Sequence, residues 1–148
     1  MIVRDPGLPF LPGFPLGRVE LARLCSLLLE ALGLRGCRFD LRLVDDAGMA
    51  ALNRKARGFP GPTNVLSFPS GEEPRKGAFL GDLVLSVETL AREAHLYGQE
   101  PTEHTARLLA HGLLHLAGLE HGETMDALTE TAVEAAAGAF GRAFAQIP

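Results

Sequence analysis

The chain has 148 residues, of which 47% are hydrophobic and 22% charged, and its formal net charge is −4. This length and composition predict one globular domain over residues 1–148 and exclude a disordered chain. No apolar run approaches the roughly 18 residues that a membrane span needs, and no signal peptide is evident. We therefore expect a cytoplasmic protein whose two cysteines, Cys25 and Cys37, are reduced and partly buried.

Hydrophobic periodicity divides the chain into strands and helices. Apolar residues that alternate or run together predict strands at 2–3, 37–44, 64–68 and 79–86, the last of them buried on both faces. Apolar residues at helical spacing predict helices at 17–34, from 45 or 46 to about 57, at 86–97, 101–117 and 122–144. This interleaving predicts an α+β fold in which one small mixed sheet of about four strands is backed by about five helices.

The segment from His111 to His121 carries three histidines in the pattern H-x-x-x-H-x-x-G-x-x-H. His111 and His115 are four residues apart, so they share one face of the predicted helix. Gly118 can end that helix and turn the chain, which brings His121 back toward the other two. This convergence favours a zincin-like site for one Zn²⁺, or another divalent transition metal, with one position open for water. The alternative is that His111 and His115 are only part of a polar stripe along the helix. That alternative does not explain the third histidine, His121, at this spacing.

Gly112 stands where zinc peptidases of the H-E-x-x-H type have the glutamate that acts as general base. Glycine can neither accept nor donate a proton. The pattern thus keeps a ligand set without the peptidase base, and we expect a different reaction at this site.

Three segments resemble the YbeY family of bacterial endoribonucleases. H-G-L-L-H-L-A-G-L-E-H at 111–121 is similar to the family's H-G-x-L-H-L-x-G-y-D-H. The other two are L-N and R-G at 52–58 followed by P-T-N-V-L-S-F-P at 62–69, and L-G-D-L-V-L-S at 80–86. The resemblance covers about residues 40–125 and departs from the pattern at Phe59-Pro60-Gly61, Leu119 and Glu120.

The resemblance implies a metal-dependent endoribonuclease. We expect it to act on single-stranded RNA, because a small cleft can admit an unpaired backbone, whereas a duplex would meet the acidic half of the chain that carries the metal. The resemblance also implies roles in maturation of the 3′ end of the small-subunit ribosomal RNA and in ribosome quality control. His111, His115 and His121 would bind the metal, and Arg57, His111 and His115 would be the catalytic residues. The implied partners are ribosomal RNA and the ribosome or its proteins, with no membrane and no DNA.

Hydrolysis of a phosphodiester suits these residue types. The ion would lower the pKa of a water and polarise a phosphoryl oxygen, and either that water or the RNA 2′-hydroxyl would attack. Arg57 would hold a non-bridging phosphate oxygen through its forked donors. Basic residues gather at 54–76, whereas 100–134 carries seven acids and one arginine. We interpret four of the basic residues as solvated surface groups: Arg54, Lys55, Arg75 and Lys76.

Several other polar residues allow more than one interpretation. Glu120 either orients a ligand imidazole, accepts a proton beside the metal, or is an exposed acid that follows the turn. His104 is predicted to be a surface or cleft-lining residue and not a ligand, and His95 to be structural. For the remaining three we favour turn and strand-edge hydrogen bonding over contact with RNA: Thr63, Asn64 and Ser67.

Two other functions remain open at this point. One is a metallopeptidase with an unusual base, for which Glu120 is the candidate. The other is a ribosome-associated assembly factor in which the metal serves only stability.

Overall fold

The computed structural model describes residues 2–5, 16–59, 61 and 63–144. In this part of the chain, four strands form one sheet: β1 (Ile2–Arg4), β2 (Arg38–Val44), β3 (Val65–Pro69) and β4 (Phe79–Ser86). The helices of the same part are α1 (Arg18–Ala31), α2 (Asp46–Arg57), α3 (Val87–Leu96), α4 (Pro101–Leu116) and α5 (Glu123–Phe144). The predicted α+β fold is confirmed, and the predicted elements differ from these only at their ends.

The sheet has the strand order β1-β2-β4-β3. β1, β2 and β4 are parallel, whereas β3 runs antiparallel to β4 and forms one edge. β4 is central and is buried over most of its length, with Asp82 as its exposed residue. A central strand has helices against both faces, which explains why its sequence shows little alternation.

Successive residues of β4 pack into different clusters because side chains alternate across a strand. Leu83 and Leu85 belong to the larger core, which they share with buried leucines of α1 and α4. Val84 belongs to a smaller cluster on the opposite face, where it meets Met49 of α2 and Leu66 of β3. Burial of each such side chain contributes about 1.5–3 kcal/mol, so the two clusters fix α4 and α2 on opposite sides of the sheet.

The first long helix ends earlier than its apolar stripe predicts. Gly33 adopts a left-handed conformation with φ of 76°, and the Leu34 N–H donates to the Leu29 carbonyl at 2.7 Å. This is a Schellman turn, which satisfies the last carbonyls of a helix and reverses the chain. Leu34 therefore reaches the core from the turn and not from the helix.

α2 is held at its first turn by the carboxylate of Asp46. Three side chains donate hydrogen bonds to it, at 2.8, 2.6 and 3.0 Å: Ser86 at the end of β4, and Thr89 and Arg92 of α3. At the other end the helix stops at Gly58, which has a left-handed φ of 73°. These contacts fix α2 against β4 and α3, and so fix the position of Arg57 in its last turn.

Asp46 gives the fold a predictable response to acid. Burial alone would raise the pKa of Asp46, but hydrogen bonds from Thr89, Ser86 and Arg92 hold it below its ordinary value. Such a carboxyl stabilises the fold above its unfolded pKa of about 3.9 and loses this effect as the pH falls through the folded pKa. We expect Asp46→Asn to lower the free energy of unfolding at neutral pH by about 1–2 kcal/mol.

The measurement is urea unfolding of both proteins from neutral pH down to about pH 2. The difference between wild type and Asp46→Asn should close at the acid end, where the wild-type carboxyl is protonated as well. A difference that stayed constant over the whole range would show that charge is not the cause.

Both cysteines are free and buried, as predicted. Burial raises the pKa of the Cys25 thiol to about 12, which leaves very little of the nucleophilic thiolate at neutral pH. Among the helices of the described residues, none has the length and apolar character that crossing a membrane requires.

Candidate metal centre

α4 carries the first two histidines on the face that does not enter the core. The helix begins after Glu100, whose carboxylate accepts hydrogen bonds from the N–H groups of Thr102 and Glu103. Its buried face includes Leu109, Leu113 and Leu116. His111 and His115 lie four residues apart beside that face and are half-buried. Packing of the leucines therefore directs both imidazoles toward the edge of the sheet where β3 lies.

The turn after α4 brings the third histidine to the other two. Gly118 has a left-handed φ of 96°, and the Leu119 N–H donates to the Leu114 carbonyl at 3.0 Å. The chain reverses there and places His121 beside the helix. The turn predicted at Gly118 is thus confirmed.

The three imidazoles lie close enough to share one ion. Their ring centroids are separated by 4.8 Å (His111 and His115), 4.9 Å (His111 and His121) and 4.5 Å (His115 and His121). One nitrogen from each ring lies within 4.8 Å of the others. These atoms fit a three-nitrogen set for a divalent transition metal, which leaves further coordination positions free.

Burial and neighbouring imidazoles favour the neutral form of His111 and His115. Burial lowers the pKa of His111, and the neighbouring His115 and His121 lower it further, whereas Asp126 acts in the opposite direction. Burial and His121 also lower the pKa of His115. Only a neutral imidazole has a lone pair for a metal, so the lowered pKa values of His111 and His115 favour metal binding at neutral pH.

The histidines open onto a cleft of about 420 Å³. Besides the three histidines, its lining residues are Arg57, Thr63, Asn64, Val65, Leu66, Ser67 and Pro69. Arg57 is exposed at the end of α2, and its guanidinium carbon lies 5.2 Å from the centre of the Phe59 ring. No carboxylate in the described part of the chain pairs with Arg57, so its donors are available to an anion.

The predicted locations of two histidines are wrong. His104 is not at the surface: it is 7% exposed in α4, and its Nε2 lies 3.1 Å from the Glu93 Oε1 of α3. The helix face on which it lies packs against α3, which the sequence of α4 alone does not show. His95 is exposed in the last turn of α3 and has no part in the core, so it is not structural.

Two polar residues of the cleft, Asn64 and Ser67, make hydrogen bonds within the fold, as expected of turn and strand-edge groups. For Thr63 this interpretation stays a prediction. Asn64 accepts from the Val65 N–H at 2.7 Å, and Ser67 Oγ donates to the Gly112 carbonyl at 3.5 Å. Sequence reasoning missed Glu93, which accepts a hydrogen bond from Asn64 and contacts His104. Its only signal is a polar position on the packed side of α3.

The remaining charged candidates face solvent. Glu120 is exposed, and no hydrogen bond joins it to a histidine among the described residues. The four basic residues interpreted as surface groups are exposed, as predicted: Arg54, Lys55, Arg75 and Lys76.

Gly112 faces the sheet. A Cβ atom at this position would lie 2.8 Å from Leu83 Cδ2 and 3.4 Å from Ser67 Oγ. Leu83 is fully buried in β4. Glycine thus allows the close approach of α4 to the sheet that places His111 and His115 over the cleft.

Comparison with known proteins identifies the family. The family profile described as Endoribonuclease YbeY matches residues 19–136. The chain belongs to the YbeY family. The Endoribonuclease YbeY of Oleidesulfovibrio alaskensis is 42% identical over 93% of this chain and 94% of its own length. That of Nitratidesulfovibrio vulgaris is 48% identical over 72% of this chain and 76% of its own.

A solved structure shows the same fold. The solution structure of a Thermotoga maritima protein matches with a TM-score of 0.68 at 23% identity, and the match covers 100% of this chain and 97% of that one. The YbeY resemblance inferred from three short segments is confirmed by the family profile and by the two relatives above.

Proposed function

We propose that this chain is a metal-dependent endoribonuclease that cleaves single-stranded RNA. Its expected role is maturation of the small-subunit ribosomal RNA at the 3′ end and ribosome quality control. The observation that carries the proposal is the cleft itself, in which three imidazoles face the same space as Arg57, an arginine that no carboxylate of the described residues pairs with. The relatives named Endoribonuclease YbeY support it.

His111, His115 and His121 would hold one ion, and we propose Zn²⁺ because three nitrogen ligands with open positions suit zinc. A bound ion would supply Lewis-acid polarisation of a phosphoryl oxygen and a lowered pKa for water. Arg57 would donate to the non-bridging oxygens of the scissile phosphate and stabilise the charge that develops there. The Phe59 ring beside its guanidinium limits the directions in which Arg57 can point.

The net charge of the chain affects its affinity for RNA. With a net charge of −4, few phosphates can be neutralised, so affinity for naked RNA should be weak and should fall as salt rises. We therefore propose that the ribosome or a ribosomal protein presents the RNA, and that the protein acts in the cytoplasm as a single domain.

A metallopeptidase is less favoured. The position of the peptidase base faces Leu83 of the sheet, and the other candidate base, Glu120, is exposed. Nothing in the described cleft supplies a carboxylate in its place, because no acid is among the lining residues.

The experiment that tests the proposal is a comparison of two substrates. A labelled unstructured RNA and unfolded casein are each incubated with the zinc-loaded protein, with and without a chelator. RNA cleavage that the chelator stops, with casein intact, is the expected result. Casein digestion with RNA intact would favour the peptidase. If neither substrate is cut, even with ribosomes added, the assembly factor is the better proposal.

Arg57 offers a separate prediction. We expect Arg57→Lys to lower kcat/KM for RNA by about 10- to 100-fold at unchanged metal content, because one ammonium group cannot reproduce the forked donors of a guanidinium. Arg54→Lys is the matched control, since Arg54 is exposed in the same helix but does not line the cleft. Full activity of Arg57→Lys would mean that positive charge alone, which lysine keeps, supports cleavage, and equal loss in both variants would mean that the effect is not specific to the cleft.

A further inference from the structure

The outer edge of β3 borders the metal cleft and carries few main-chain donors. β3 is antiparallel to β4, and main-chain groups in such a pair alternate between facing the partner and facing away. The Ser86 N–H donates to the Asn64 carbonyl, and the Ser70 N–H to the Leu80 carbonyl, both at 2.9 Å. The register then directs the main-chain groups of three residues away from β4: Val65, Ser67 and Pro69.

Two of these three outward positions have no free N–H. The Val65 N–H donates to Asn64 Oδ1 at 2.7 Å. Pro69 has no N–H at all. Within the described residues, the N–H of Ser67 is thus the one outward main-chain N–H of β3 that has no hydrogen-bond acceptor.

The Asn64 side chain is itself held in place. Its Nδ2 donates to the carboxylate of Glu93, at 3.1 Å to Oε1 and 3.4 Å to Oε2. Glu93 Oε1 also lies 3.1 Å from Nε2 of His104, which is buried in α4. With the amide nitrogen bound to Glu93, the amide oxygen stays on the Val65 N–H.

This arrangement suits a phosphate better than a peptide strand. A peptide that extends a sheet uses main-chain donors at every second residue of the edge, and among the described residues of β3 only Ser67 offers one. A phosphodiester needs only one or two donors for each non-bridging oxygen, and main-chain N–H groups commonly supply them. Arg57 lines the same cleft and adds the positive charge that such an anion requires.

We propose that the main-chain N–H of Ser67 donates a hydrogen bond to a non-bridging oxygen of the RNA backbone. The edge of β3 is then a phosphate-binding edge, restricted to one donor by Asn64 and Pro69. The inference rests on the proposed ribonuclease function and adds a substrate-binding group to it.

The test is removal of the N–H without loss of the strand. Proline is tolerated at outward positions of an edge strand, as Pro69 already shows two residues further on. We expect Ser67→Pro to lower kcat/KM for RNA by about 10- to 100-fold, with zinc content and melting temperature near those of wild type. Ser67→Ala is the matched control, because it removes the hydroxyl and keeps the N–H.

A second measurement needs no variant at position 67. A short single-stranded 2′-O-methyl RNA is titrated into the wild-type protein, and backbone amide resonances are followed by NMR. The Ser67 amide proton should shift downfield, whereas the Val65 amide, already bonded to Asn64, should shift less. This measurement decides the matter if Ser67→Pro does not fold.

The possible failures are distinguishable. Full cleavage by a folded, zinc-loaded Ser67→Pro, or no shift of the Ser67 amide at saturating oligonucleotide, would overturn the proposed contact and leave the ribonuclease function standing. A wild-type protein that cleaves no RNA counts against the function, and the titration still shows whether Ser67 binds the phosphate.

Discussion

Replacing His115 with alanine is expected to remove the metal and to reduce RNA cleavage to the level of chelator-treated wild type. The three imidazoles form one set, with centroids no more than 4.9 Å apart, and two nitrogen ligands hold a transition metal far less tightly than three. His111→Ala should have the same effect. His115 is half-buried and lies outside the leucine face of α4, so the metal-free variant should be about as stable as metal-free wild type.

The measurement is metal content by mass spectrometry after loading with zinc and desalting, followed by the RNA assay. The control is His95→Ala, which removes an exposed imidazole from α3 and leaves the cluster whole. It should keep both zinc and activity. Full zinc occupancy in His111→Ala or His115→Ala would refute the ligand assignment.

The helices and strands follow from the sequence because their signals are local. The spacing of His111, His115 and His121 acts within one helix and one turn, so their convergence can be predicted without knowledge of the rest of the fold. Likewise, the alternation in β2 and the unbroken apolar run in β4 report how many faces of each strand are buried. The end of α1 was predicted too late because apolar residues continue through a Schellman turn into the core.

Contacts between distant segments of the chain are harder to predict from the sequence. Nothing in the spacing places Arg57 near the histidines, and only the YbeY resemblance led to that expectation. The hydrogen-bonded pair of Glu93 and His104 joins α3 to α4, and the position of α3 depends on its following directly from β4. The blocked edge of β3 depends on strand register, which a sequence of five residues does not determine.

Gly112 shows how one residue can be interpreted in two ways. The sequence presents it as a missing peptidase base, whereas the structure presents it as a contact between helix and sheet. If only the base were missing, Gly112→Glu would introduce a carboxylate beside the metal and create a peptidase. The structure predicts a different result, because the first side-chain atom at this position would already lie 2.8 Å from Leu83 Cδ2.

We expect Gly112→Glu to lower the free energy of unfolding by more than about 3 kcal/mol and to leave casein intact. Overpacking of a filled core costs about 1–3 kcal/mol, and a buried carboxylate without a partner costs more. The gain of about 1 kcal/mol from replacing a helical glycine does not offset these terms.

Gly112→Ala isolates the contribution of the Cβ atom. The same substitution is then made in a Leu83→Val protein, because valine lacks both Cδ atoms that this Cβ would meet. Urea unfolding of the two single variants and the double variant should give a coupling of about 1 kcal/mol, with Gly112→Ala less harmful when residue 83 is valine. Additive effects would mean that Leu83 is not what excludes a side chain at 112. A stable Gly112→Glu variant that digests casein would show that the peptidase base was the one feature this site lacked.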